Sequence, residues 1–199
     1  MSIFNLHTQN HDLEHKIAAG LERLSQVFKT LLWEKAKTYG LSPIQIQLLI
    51  FIRYHSPEKT TVSYLAKECN VTKSTVSDAI KVLEQKGLIA KTADASDSRS
   101  YTMALTGTGQ QIVSETEDFA DPIAAALSKT DASEKEIIWK NLSGLIASLN
   151  RAGVISVQRN CQSCVHYAEN GNRAFCKLLQ LPLETKDLRI DCPEFEQAV

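Results

Sequence analysis

The stretch from Thr61 to Leu105 limits the fold more tightly than any other part of the chain, because its hydrophobic period changes from helical to extended within 45 residues. Thr61 is placed to cap a short helix carrying Val62, Leu65 and Ala66, and Thr72 to cap a second one running to Lys86. Between them, Glu68-Cys69-Asn70-Val71 has the length of a turn that sets two helices at a steep angle. Asn70 suits the left-handed residue such a turn needs, and Gly87 stands where a helix stop wants a glycine. Leu88–Thr92 and Tyr101–Leu105 then flank a polar tip. The alternation of Tyr101, Met103 and Leu105 with Thr102 and Ala104 predicts a β-hairpin.

Long helical patterns lie on both sides of this unit. From Asp12 to Thr38, Leu13, Ile17, Leu21, Leu24, Val27, Phe28, Leu31 and Leu32 recur at three and four. That stripe is longer than a small core can cover from one side. Gly40 stops it, and Ser42-Pro43-Ile44-Gln45 reads as a helix start with a capping box and Pro in the first turn. The helix that follows, to about Tyr54, is apolar nearly all round and belongs inside. Thr106 or Thr108 opens another long helix that Pro122 kinks or divides. Asp131 or Ser133 opens a last one, with Ile137, Ile138, Leu142, Leu145, Ile146 and Leu149 as its stripe and Gly153 at its end. No internal repeat or low-complexity tract is visible.

Composition narrows the class further. With 43% hydrophobic and 23% charged residues in 199, the chain is an ordinary globular protein with enough length for a real core. The longest uninterrupted apolar run, Leu48–Ile52, is far short of the ~20 residues of a membrane span. The first ten residues show no secretory pattern, so a cytoplasmic location is expected. A net charge of −1 excludes coating of nucleic acid by bulk positive charge, so polyanion binding has to come from a local surface.

Such a surface is legible on the second short helix. Val76, Ala79, Ile80 and Leu83 form its inward stripe, which leaves Lys73, Ser74, Ser77, Asp78 and Lys81 on the other side. Short hydroxyls and lysines at the N-terminal end of an exposed helix are what a major groove requires, slim groups for base edges and cations for phosphates. Helix N-terminal amides favour phosphate as well. At the hairpin tip, Arg99 can reach an adjacent minor groove, with Asp97 two residues earlier to hold it.

Leu41-Ser42-Pro43, Leu65-Ala66-Lys67, Val71 to Ser77, Leu83 to Ile89, the Asp97/Arg99 tip and Leu105-Thr106 together resemble the MarR family of winged helix–turn–helix transcription regulators, over about residues 12–152. The resemblance implies a homodimer in which the first and the last two long helices interlock, with one winged domain per half-site of a palindromic double-stranded DNA operator. It also implies that Thr72, Lys73, Ser74, Thr75, Ser77 and Lys81 face DNA from the recognition helix and Arg99 from the wing. Three positions depart from the pattern. Asp78 stands where many relatives carry a basic or amide group, and it either accepts from a cytosine amine or pairs with Lys81. Ser98 replaces the first of the usual two wing arginines. Cys69 falls where the family has a core leucine, which suits a small buried hydrophobe better than a redox sensor.

The family pattern ends near Gly153, yet the chain continues. Four of its five cysteines lie in the last 39 residues: Cys161-Gln-Ser-Cys164, Cys176 after eleven residues, and Cys192-Pro193 after fifteen more. In a reducing compartment that clustering reads as metal binding before disulfides. A C-x2-C knuckle offers two thiolates on one tight turn, and two distant cysteines can complete a set of four sulfurs. A zinc ribbon prefers two knuckles, whereas one knuckle with two scattered cysteines, the last followed by Pro, also suits an iron–sulfur cluster. Both cofactors stay open here, as does a metal-free thiol switch. His166 is a substitute ligand or a neighbour of one. His7, His11 and His15 share a stripe only if the first helix begins early, and a solvated or partner-facing role suits them better than a metal.

The expected fold class is therefore mainly α with a small β-hairpin wing (α+β): a winged helix–turn–helix with long dimerisation helices and a small cysteine-rich C-terminal module. Its expected parts are an N-terminal dimerisation helix (1–40), the winged domain (41–106), C-terminal dimerisation helices (107–153) and the cysteine tail (157–199). The expected function is that of a dimeric transcription regulator, most often a repressor in families of this kind, with the tail as a sensor or a structural staple. A small-molecule or redox effector is the expected signal. The alternative is a metal-dependent protein-interaction adaptor. No Ser/His/Asp order, H-E-x-x-H or phosphate-binding glycine loop appears, and four cysteines on one metal leave no open position, so an enzyme is not expected.

Overall fold

The computed structural model describes residues 2–93, 101–170 and 173–198. Its helices are α1 (Leu6–His11), α2 (Leu13–Thr38), α3 (Pro43–Tyr54), α4 (Val62–Glu68), α5 (Lys73–Gln85), α6 (Gly107–Thr116), α7 (Asp121–Ser128) and α8 (Ala132–Arg151). Strands β1 (Ile89–Ala93) and β2 (Tyr101–Leu105) pair antiparallel from Ile89↔Leu105 to Ala93↔Tyr101. A second sheet follows in the tail: β3 (Tyr167–Asn170), β4 (Arg173–Cys176) and β5 (Leu181–Leu183), antiparallel in that order.

Local chemistry accounts for most element boundaries. Asp12 ends α1 and caps α2, its Oδ1 accepting the Glu14 amide at 3.0 Å, which breaks the single early helix that would have aligned three histidines. His7 and His11 stack at 4.3 Å between ring centroids, while His15 pairs with Asp12 at 2.7 Å. The box at the start of α3 forms, with the Ser42 amide donating to Gln45 Oε1 at 2.8 Å. Thr61, Thr72 and Thr106 each accept the amide three residues on, at 3.2, 3.2 and 3.0 Å. The break between α6 and α7 is a 3-10 turn, Glu117–Ala120, and Pro122 sits in the first turn of α7, where its missing N–H costs nothing.

The core lies in the winged domain. Ile46, Leu48 and Leu49 of α3, Leu65 of α4, Val76, Ile80 and Leu83 of α5 and Val113 of α6 are fully buried, with Leu32 and Ala36 of α2 closing one side. Met103 of β2 is buried between outward Thr102 and Ala104, as the alternation requires. Its amide donates to buried Thr60 Oγ1 at 3.0 Å, which ties the hairpin to the loop before α4. Gly109 is needed for a different reason from a turn glycine: a Cβ there would stand 2.0 Å from the Leu88 carbonyl oxygen.

The long helices leave a large apolar surface open. Ile17, Leu24, Val27 and Phe28 of α2 and Ile137, Ile138, Leu142, Leu145 and Leu149 of α8 are exposed, Ile137 by 61%. On α8 only Ser143 and Ala147 are buried. Among the described residues no helix is long and apolar enough to cross a membrane.

Candidate nucleic-acid interface and cysteine centre

Helices α4 and α5 meet across a turn in which Asn70 adopts φ +52°, the left-handed conformation that lets the chain reverse there. Val71 N–H closes the end of α4 on the Ala66 carbonyl at 3.0 Å. The buried stripe of α5 is Val76, Ala79, Ile80 and Leu83, so its opposite side faces out. Thr72, Lys73, Ser74, Thr75, Asp78 and Lys81 are exposed there, and Ser77 is half-buried. The Thr72 hydroxyl sits 2.8 Å from both Ser74 Oγ and Thr75 Oγ1, which gathers three hydroxyls at the helix N-terminus. Beside this face, Lys91 of β1 pairs with Glu84 at 2.6 Å and lies over the Tyr101 ring. Arg99 and Asp97, the expected tip pair, lie outside the described residues.

Residues 39–100 match the MarR family. The chain thus carries a MarR-like winged helix, and the family is one of transcription regulators rather than enzymes. It is similar to Staphylococcus aureus MepR solved in complex with DNA, at 26% identity and a TM-score of 0.59, covering 66% of this chain and 97% of that one. A second MepR structure, described as a transcription regulator of the S. aureus multidrug efflux pump MepA, matches at 26% identity over 66% and 97% with a TM-score of 0.52. A MarR transcriptional regulator from Methanosarcina mazei Go1 shares the fold at 20% identity, a TM-score of 0.59 and coverage of 68% and 97%.

The fifth cysteine, Cys69 at the end of α4, packs against the core, and burial pushes its thiol up to about 11. A thiol held neutral there behaves as a small apolar group and not as a nucleophile.

The other four cysteines come together. Cys161, Cys164, Cys176 and Cys192 all line one cavity of about 30 Å³, walled also by Tyr167, Leu178, Leu179 and Leu183. The knuckle is a 3-10 turn, Cys161–Ser163, capped by Asn160 Oδ1, which accepts the Ser163 amide at 2.9 Å. Cys176 arrives at the end of β4. The Arg189 backbone amide donates to Cys161 Sγ at 3.2 Å, and its guanidinium reaches Cys192 Sγ at 3.6 Å. Among the described residues, no three His, Cys, Asp or Glu side chains are grouped closely enough to hold one ion. The buried side-chain polar atoms that lack a hydrogen bond among the described residues are Asn160 Nδ2, Ser163 Oγ and His166 Nε2, all around the knuckle. His166 Nε2 has only an ion-pair approach, 3.4 Å from Glu196 Oε1.

One residue absent from the sequence reading connects the two regions. Arg159, 6% exposed, donates through Nη1 to Glu68 Oε2 at 2.6 Å and through Nη2 to Glu68 Oε1 at 3.1 Å. On its other edge it donates to Asp191 through Nε at 2.5 Å and Nη2 at 2.9 Å. Tyr64 OH accepts from it at 3.1 Å, and its guanidinium lies 5.4 Å from the centre of the Phe51 ring. Arg159, then His55 at 2.8 Å, hold the Asp191 carboxyl at about 2. Nothing in the sequence flags Arg159, because its partners are 91 and 32 residues away.

Proposed function

We propose that this chain is a homodimeric, sequence-specific double-stranded-DNA-binding transcription regulator, a repressor, whose C-terminal tail is a metal- or cluster-binding module. The observation that carries the reading is the exposed N-terminal face of α5, where Thr72, Lys73, Ser74, Thr75 and Lys81 project away from a helix whose other side is core. Free amides and two lysines suit phosphates, and the hydroxyls suit base edges. MepR, similar at 26% identity over 97% of its length, is solved on DNA, which supports the same use of this surface. Ser77 reaches a base only along the rim of this face, and the resemblance assigns a minor-groove contact to Arg99, which lies outside the described residues.

The dimer follows from the open apolar stripes of α2 and α8, which a second copy buries. It would set two α5 helices about 34–36 Å apart on a palindromic operator. A cleft of about 520 Å³ between α2 and α7, lined by Leu31, Lys35, Tyr39, Asp118, Phe119 and Pro122, is the seat for a small-molecule effector. Lys35 spans it, pairing with Asp118 at 2.7 Å.

The test is affinity for duplexes selected from a random pool, measured across a salt series. The expected result is a steep fall of affinity with salt and protection of a palindrome. Lys73→Ala should weaken binding to every sequence and flatten the salt slope by about one unit. Salt-independent behaviour and no protected site would overturn the reading in favour of a protein-binding adaptor.

A further inference from the structure

We propose that Cys161, Cys164, Cys176 and Cys192 hold one iron–sulfur cluster, and that Arg159 relays its presence to the helix–turn–helix through Glu68. The cluster site deepens the reading of the tail as a metal- or cluster-binding module, and the relay rests on the regulator reading for its output, DNA affinity.

The donor set fits the group. Four thiols from three separate segments face one apolar-walled cavity. A single zinc draws four sulfurs in to 2.3 Å from itself, and hence to about 3.8 Å from one another. One C-x2-C knuckle with two scattered cysteines around one cavity, the last followed by Pro193, is the donor arrangement that a core of several irons and bridging sulfides accepts. Two donors already point at sulfur, the Arg189 amide at Cys161 and the Arg189 guanidinium at Cys192. Hydrogen bonds of this kind stabilise the charge on cluster thiolates. The unpaired Asn160 Nδ2 and Ser163 Oγ on the knuckle are further polar atoms with an unmet partner beside the site.

The relay is a short chain of polar contacts. The Cys192 amide donates to the Arg159 carbonyl at 3.0 Å, and Asp191 grips the Arg159 guanidinium from the same side. The far edge of that guanidinium holds both oxygens of Glu68, the last residue of α4, directly before the turn into α5. Ser156 OH adds a second strap, donating to the Lys67 carbonyl at 2.9 Å. Between 154 and 198 the buried residues among those described are Arg159 and Asn160, and Cys192 is itself only half-buried. Ligating Cys192 sets the position of Asp191; Asp191 sets Arg159; Arg159 sets the end of α4 and with it the entry angle of the recognition helix. Two states, loaded and empty, would then differ in the spacing of the paired α5 helices.

The experiment uses the full chain purified without oxygen. Iron, acid-labile sulfide and zinc are measured per chain together with the visible spectrum. Equal iron and sulfide, about two or about four of each, with a broad visible absorbance that Cys176→Ser abolishes, is the expected result. Zinc near one per chain without colour overturns the cluster assignment, and so does protein that takes up neither metal after incubation with ferrous iron and sulfide. Hydrogen exchange of the α4 and α5 amides, and affinity for a duplex selected from a random pool, are then compared between loaded and iron-stripped protein. Stripping should change affinity about tenfold in the wild type, and under about twofold in Glu68→Gln. Asp191→Asn is a second uncoupling variant should the first fold poorly. Equal responses in wild type and both variants overturn the relay while leaving the cluster site standing. Exchange that responds to loading in a protein that binds no duplex supports the relay and overturns the regulator reading instead.

Discussion

The winged domain and the cysteine tail are held together by opposite means. Around α3, α4 and α5, eight large apolar side chains from Ile46 to Val113 are fully buried, and polar contacts serve mainly as caps and ties. In the tail, the buried residues among those described are a charged one and an amide, Arg159 and Asn160, while Leu178, Leu181 and Ile190 stay exposed. Hydrophobic burial is additive and tolerant, so the first region folds from pattern alone. A clamp of one guanidinium between two carboxylates is neither, since each partner is expensive to leave unpaired. The contrast explains why the 157–199 extension with three short strands gathers four thiols at one cavity: it lacks the apolar area to stand unaided.

Removing the proposed metal or cluster should separate the two regions most sharply. Stripping metal with a chelator, or Cys161→Ser with Cys164→Ser, should abolish protection of the β3–β5 amides altogether while the core of the winged domain, read at the α3 amides, keeps its protection, as hydrogen exchange would report. Simultaneous loss in both regions would break the comparison. Next in size, Ile80→Ala removes a fully buried side chain from the centre of α5. It should lower global stability by about 2–5 kcal/mol in denaturant melts. Arg159→Ala should cost about 3 kcal/mol, at the lower end for a broken buried pair because the Asp191 side chain is 40% exposed and water can take it over. The loss should appear as undocking of the tail, read by limited proteolysis near residue 156, with the winged domain still folded. The smallest effect is Thr72→Ala, a cap backed by a packed helix, at about 1 kcal/mol. A much larger fall would mean that the hydroxyl cluster with Ser74 and Thr75 organises more than one helix end.

The winged domain was legible because its signals are local. The caps at Thr61, Thr72 and Thr106, the left-handed Asn70, the stripe Val76-Ala79-Ile80-Leu83 and the alternation along Tyr101–Leu105 all depend on residues within a turn or two of each other. Local chemistry also divided the helix around Pro122 and ended α8 at Gly153. The same reasoning started the long helix at Asp12, which caps α2, but missed the short helix α1 that comes before it. It missed the tail sheet as well, since Tyr167–Asn170 and Leu181–Leu183 are too short and mixed for alternation to stand out. In the candidate interface, the exposed positions on α5 follow from the period, whereas the half-burial of Ser77 depends on what packs beside it.

Sequence alone determined the helix–turn–helix, its wing and the identity of the four tail cysteines, because periodicity, capping and spacing act over a few residues. Only the tertiary structure decided that those cysteines share one cavity and that the tail grips α4. Arg159, Glu68 and Asp191 carry no pattern in the chain, and a guanidinium chooses its carboxylates by their positions in space.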